Sequence, residues 1–198
     1  MSPQDPSASA PPTQAPTDLS DKTIYSVDVA IPAFNASRHI AATLDAVLAQ
    51  RLPGGTRLRI FVADDASSDD LQQILRERYR DSVVIATHAT NRGRSAACNT
   101  AIGLGNGNII IVLDADCRFA DDLMIARMLE HFDAGAEAVI GTVDADAEGF
   151  WGRYAGVVSR RRVAGASQVG PWHMTTANFA IRRLNMNAVG GFSTSYHR

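Results

Sequence analysis

Residues 109–116 read Ile-Ile-Ile-Val-Leu-Asp-Ala-Asp. Five apolar residues in a row, with no polar alternation, describe a central strand covered on both faces rather than an exposed hairpin strand. Asp114 and Asp116 close that run. Two acids at the end of a buried strand are costly without a counter-charge. A hard divalent ion, held by one or two carboxylates together with ligand phosphates, resolves the repulsion.

Outward from this run, short apolar stretches alternate with amphipathic ones. Towards the N-terminus, strands are expected over Ser26–Pro32, Leu58–Ala63 and Val83–Thr87. Between them, a helix over Ala36–Gln50 groups Ile40, Leu44, Val47 and Leu48 on one face, with Asn35 or Ser37 as N-cap; the next groups Leu71, Ile74, Leu75 and Tyr79, capped by Ser67 or Ser68; a third covers Ser95–Leu104. Towards the C-terminus, a helix is expected over Asp121–Phe132 and a strand over Ala138–Thr142. The pattern then weakens into a helix over Phe150–Ala164, a strand over Thr175–Ile181 and a short helix over Leu184–Val189 that ends at Gly190-Gly191. This order predicts an α/β sandwich around a mostly parallel sheet. Gly103, Gly105 and Gly107 follow a helix and precede a strand, the reverse of a dinucleotide loop, and read as a helix stop.

Ligands of open parallel sheets bind outside the carboxyl ends of the strands. Those ends carry Pro32-Ala33-Phe34-Asn35, Asp64-Asp65 and Asp114-Ala115-Asp116, one aromatic and four carboxylates on one rim. The competing reading of such Asp and Asn residues is as turn and N-cap residues, and it is strongest for Asn35.

Composition narrows the chemistry. The 198 residues carry a net charge of -2, which gives no bulk electrostatic basis for binding nucleic acid. Lys22 is the single lysine, which excludes a P-loop, a Schiff-base enzyme and a phospho-receiver. Cys98 and Cys117 are too far apart for a CxxC pair and read as packed thiols in a reduced compartment, with exposure beside Asp114 and Asp116 the alternative for Cys117; the five histidines never reach HExxH spacing. Residues 1–22, rich in Pro, Ser and Ala, are expected to be a disordered leader, and residues 23–198 one domain. No run approaches the roughly 18 apolar residues of a membrane span. The expected setting is cytoplasmic, with peripheral contact at the inner face of a membrane as an option. Arg160-Arg161-Arg162 reads as a solvated face, and Trp151, Trp172 and His173 as packing residues.

Five blocks in order, VDVAIPAFNASRHIAATLDAVLAQ (27–50), IFVADDASSDD (60–70), NRGRSAACNTAI (91–102), IIIVLDADC (109–117) and TTANFAIRRLNMNAVGGF (175–192), resemble those of family 2 glycosyltransferases. The resemblance implies the GT-A fold, a Rossmann-like three-layer sandwich. It implies transfer of a sugar from a nucleotide-diphosphate sugar, most often a UDP-sugar, to a hydroxyl of a saccharide or lipid-linked acceptor, with inversion. By position, Pro32, Phe34 and Asp65 match residues that contact the nucleotide base. Phe34 stands where Tyr is commoner. Ala33, Asn35, Asn91 and Gly93 lie in the same blocks and join the nucleotide-binding set, and Asp64 helps to hold its loop. Asp114 and Asp116 match the family's acidic pair, the first facing ribose or sugar and the second binding Mn2+ or Mg2+ at the diphosphate. The ion neutralises charge on the departing nucleoside diphosphate.

Two departures stand out. Cys98 occupies the place where the family usually has Arg, so a cationic contact is either missing there or supplied by Arg92 or Arg94. The family's general base comes from a Glu-Asp pair shortly after the GGF block, whereas residues 193–198 offer no carboxylate. The catalytic base is therefore expected beyond Arg198, with the chain stopping before the acceptor half. The alternative is a catalytically incomplete fragment or remnant that binds nucleotide sugar. A sugar-nucleotide pyrophosphorylase would need a Gly-rich loop and a lysine after the first strand, and a haloacid-dehalogenase phosphatase would carry its acidic pair at the end of that strand.

Overall fold

The structure is a computed structural model that describes residues 24–143 and 177–195. The expected leader over 1–22, the expected helix over 150–164, Arg160–Arg162, Trp151, Trp172 and His173 lie outside the described residues. In chain order the elements are β1 (Ser26–Ala33), α1 (Ile40–Leu48), β2 (Arg57–Asp64), α2 (Leu71–Arg78), β3 (Val83–Thr87), α3 (Arg94–Gly103), β4 (Ile109–Leu113), α4 (Met124–Asp133), β5 (Ala138–Ile140), β6 (Asn178–Arg182) and α5 (Arg183–Val189).

The strands form one six-stranded sheet in the order β3-β2-β1-β4-β6-β5. β1 pairs in parallel with both β2 and β4, β2 pairs in parallel with β3, and β6 runs antiparallel between β4 and β5. Every residue of β4 is buried, because the strand is covered on both faces. Ile109, Ile111 and Leu113 enter the core on one side together with Ile40 and Leu44 of α1, Leu71 and Leu75 of α2, and Ile125 and Phe132 of α4. Ile110 and Val112 enter the core on the other side with Ala97, Cys98 and Ala101 of α3 and Met186 of α5. Here Ala30 and Ala63 of the sheet meet the alanines of α3, and small side chains on both surfaces leave room for close approach. The three-layer α/β sandwich expected from the sequence is therefore present.

Local boundaries differ from the sequence expectation for identifiable reasons. α1 begins at Ile40, not Ala36, after a turn in which the His39 and Ile40 N–H groups both donate to Ala36 O. Neither Asn35 nor Ser37 caps it: the Asn35 side-chain Oδ1 accepts from Ser68 N–H, and Ser37 N–H donates to Asp69 Oδ2. Leu48, the last residue of α1, is 45% exposed instead of lying on the buried face. Ser67 and Ser68 do not cap α2; Asp69 Oδ1 accepts the Leu71 N–H. α4 starts at Met124 rather than Asp121, and β5 stops at Ile140 rather than Thr142.

At the amino end of the sheet, Asp28 of β1 is 1% exposed. Its Oδ1 accepts from Arg59 at 2.9 Å, and its Oδ2 accepts from Arg183 at 2.8 Å and from the Gly107 N–H at 2.5 Å. A Cβ at Gly107 would stand 2.6 Å from Ser26 O and 2.7 Å from Asp28 Oδ1, so this glycine does more than stop a helix. Among the described residues, no helix is long and apolar enough to cross a membrane.

Candidate functional site

The chain runs outward from β1 through β2 to β3, then crosses back over β1 through α3 to form β4 on the other side. The strand order reverses between β1 and β4, and such a switch point leaves a crevice beyond the carboxyl ends of the two strands. A cleft of about 390 Å³ lies there. It is lined by the end of β1 and the loop after it (Pro32, Ala33, Phe34, Asn35, Ala36, His39), by Asp65, by Asn91, Gly93, Arg94 and Ala97 at the start of α3, and by Asp114, Ala115 and Asp116 after β4.

Hydrogen bonds between loops set the wall of this cleft. Asn35, in the left-handed region at φ 50°, donates its N–H to Ser67 Oγ at 2.9 Å and accepts from Ser68 N–H at 2.9 Å. With the bond from Ser37 to Asp69 at 2.8 Å, the β1–α1 loop is tied to the β2–α2 loop. Phe34 projects between these anchors and is 50% exposed. Burial raises the Asp69 carboxyl, but hydrogen bonds from the Ser37 N–H and hydroxyl and from Leu71 N–H outweigh it and hold the group below its usual value.

The two adjacent acids have different surroundings. Asp64 is fully buried and does not line the cleft; it accepts from Ser67 N–H at 2.9 Å and from Gln72 Nε2 at 2.8 Å. Asp65, 2% exposed, pairs with His88 Nδ1 at 2.6 Å and accepts from Arg92 N–H at 2.9 Å and Gly93 N–H at 2.8 Å. A carboxylate has about four acceptor positions, so one is left on Oδ2. His88 Nε2 in turn meets Thr100 Oγ1 at 2.8 Å, which joins Asp65 to α3. Gly93 takes φ 85°, a conformation that strains any residue with a Cβ. This turn brings the Asn91–Gly93 backbone to the cleft and opens α3 beside it.

After β4, Cys117 N–H donates to Asp114 O at 3.0 Å, closing a turn from 114 to 117. The Arg94 guanidinium bonds Asp114 Oδ1. Burial disfavours the charge on Arg94, but the hydrogen bond and attraction from Asp114 outweigh it and raise its pKa. Arg94 stands one helical turn before Cys98, so this helix face does carry a cation. Cys98 itself is packed in the core, its thiol pushed up to about 11 by burial. Carboxylate, thiol and imidazole atoms are the donors that metals take, and a donor atom from each of Asp114, Asp116 and Cys117 lies within 4.8 Å of the others. That separation fits ligands of one ion at bond lengths of about 2.0–2.6 Å.

The structure thus brings Pro32, Ala33, Phe34, Asn35, Asp65, Asn91, Gly93, Asp114 and Asp116 to a single cleft and sets Asp64 behind it. Sequence reasoning missed His88 and His39. His88 follows the last residue of β3, and reading that third strand end like the others would have found it. His39 borders both this cleft and a second cavity, which is also lined by Thr43, Asp116, Cys117 and Asn178. Asn99, of the third sequence block, pairs its side-chain amide with the backbone N–H and carbonyl of Phe192, both at 2.8 Å, and so binds the GGF segment to α3.

Residues 28–189 match the model of glycosyl transferase family 2. The chain belongs to that family. A curated relative, the undecaprenyl-phosphate 4-deoxy-4-formamido-L-arabinose transferase of Edwardsiella ictaluri (strain 93-146), is 33% identical over 135 residues, which cover 67% of this chain and 41% of the relative. Among solved structures, the mannosyltransferase PcManGT from Pyrobaculum calidifontis, in complex with GDP-Man and Mn2+, superposes with a TM-score of 0.70 at 23% identity, over 87% of this chain and 49% of that one. S. aureus TarS 1-349 in complex with UDP superposes with a TM-score of 0.69 at 16% identity, over 85% of this chain and 50% of that one. The family-2 chain therefore spans about half or less of these proteins, and the structural likenesses show a shared GT-A fold.

Proposed function

We propose that this family-2 chain binds a nucleotide-diphosphate sugar, specifically a UDP-sugar, in the switch-point cleft and forms the donor half of an inverting glycosyltransferase. The observation that carries the reading is the convergence of an exposed ring, a nearly saturated carboxylate and an acidic pair on one cleft between β1 and β4.

The Phe34 ring offers a face for the base, and nothing in its side chain can replace a hydroxyl contact. The one acceptor position left on Asp65 suits a base that presents an imide N–H, as uracil does and cytosine does not. Its other positions are engaged by the protein, so the carboxylate is pre-oriented and loses little freedom on binding. Gly93 lets the backbone beside Asn91 approach the ligand without a Cβ in the way. Arg94 places a fixed positive charge where the diphosphate would lie.

The chemistry of the donor set fits a divalent ion held by Asp114 and Asp116. When bound, such an ion supplies Lewis-acid stabilisation of the leaving diphosphate. The acceptor is read as a saccharide or lipid-linked hydroxyl, reached from a peripheral position at the cytoplasmic face of a membrane. The lipid-phosphate substrate named for the Edwardsiella relative supports that reading.

The test is a calorimetric or thermal-unfolding panel of UDP, GDP and CMP, each with Mn2+ and with chelator. UDP with Mn2+ at about 100 times Kd should stabilise the fold by about 2.7 kcal/mol, with GDP weaker and CMP inert. Equal shifts with ion and with chelator would remove Asp116 from its role, and a CMP response matching that of UDP would remove Asp65 from base recognition.

A further inference from the structure

We propose that Cys117 Sγ is a third, sulfur ligand of the divalent-ion site formed by Asp114 and Asp116, so that the site takes thiophilic ions such as Zn2+ and Cd2+ in preference to Mg2+. The inference rests on the proposed function for the ion itself and adds the identity of a ligand and the class of ion selected.

Three observations carry it. The turn closed by Cys117 N–H on Asp114 O places residues 114, 116 and 117 with their donor atoms within 4.8 Å of one another. Among the described residues this is the one group of three such side chains with that spacing. The cavity beside them is also lined by Asn178, which is 6% exposed and whose Oδ1 has no hydrogen-bond partner. A buried amide oxygen left without a partner is costly, and a ligand in that cavity would relieve the cost.

Binding an ion through sulfur would break the S–H bond, pass its proton to solvent and leave the electron pair on sulfur for the bond to the metal. Mg2+ demands near-octahedral oxygen ligands, whereas thiolate favours softer ions. Cys98 has no such company; it is packed on α3 among the core residues Ala97, Ala101 and Met186.

The experiment titrates the protein with Co2+ alone and in the presence of UDP, and follows the sulfur-to-cobalt charge-transfer band. The wild type and Cys98→Ala should show the band; Cys117→Ala and Cys117→Ser should lose it. Cd2+ affinity, measured by competition, should fall about tenfold or more in both Cys117 variants, while Mn2+ affinity should change less than about threefold. A band that is absent from the wild type, or that survives in Cys117→Ala, overturns the sulfur ligand while Mn2+ binding leaves the acidic pair in place. Failure of the wild type to bind either Co2+ or Mn2+, with or without UDP, overturns the ion reading and the sulfur ligand with it.

Discussion

Asp64 and Asp65 are neighbours in sequence with different tasks, because β2 ends between them. Asp64 is the last residue of the strand, and its side chain turns back under the loop to bond Ser67 and Gln72. Asp65 lies one step on and reaches across to His88, Arg92 and Gly93. That two acids closed this strand was legible, and the family resemblance set Asp64 to the loop and Asp65 to the base; what holds Asp65 was not, since His88 and the Arg92 and Gly93 backbone come from a later segment. Asp69 joins the same framework through Ser37. Its folded pKa lies below the unfolded value of 3.8, so its contribution to stability is fully present above that value and is lost as pH falls below it through the folded pKa. Asp69→Asn should therefore lower stability at pH 7, with a deficit that shrinks as pH falls below 3.8 through the folded pKa. Urea unfolding across this acid range checks it, and a deficit that does not change with pH would deny the charge any part.

At the scale of elements, the apolar run at 109–113 was decisive because a strand covered on both faces needs no alternation. β1 shows the opposite case. Asp28, within Val-Asp-Val-Ala-Ile, is buried between Arg59 and Arg183, the latter 155 positions away. No local pattern announces a pair so distant. Breaking a buried ion pair by removing one partner costs about 3–5 kcal/mol. Asp28→Asn should lower unfolding free energy by about that amount in a denaturant titration. UDP affinity of the folded fraction should stay unchanged, because five residues of strand, about 16 Å, separate Asp28 from Ala33 at the cleft. A parallel loss of affinity would show that the two ends of the sheet are coupled.

For the whole molecule, the consequence of the strand order 3-2-1-4-6-5 is that three loops far apart in sequence share one cleft. Hydrogen exchange measured with and without UDP and Mn2+ should slow together in residues 32–36, 91–94 and 114–117, and remain unchanged around 105–108. Slowing confined to one of the three segments would mean that the cleft does not act as a unit. Sequence alone determined the alternation of strands and helices, the buried character of β4 and the acids at the strand ends, because each is written in neighbouring residues through periodicity and composition. Tertiary structure alone decided that Arg94 rests on Asp114, that His88 steadies Asp65 and that Asp28 is an interior charge. Those pairings depend on where the chain crosses back over β1, a long-range event whose partners carry no mark in their own local sequence.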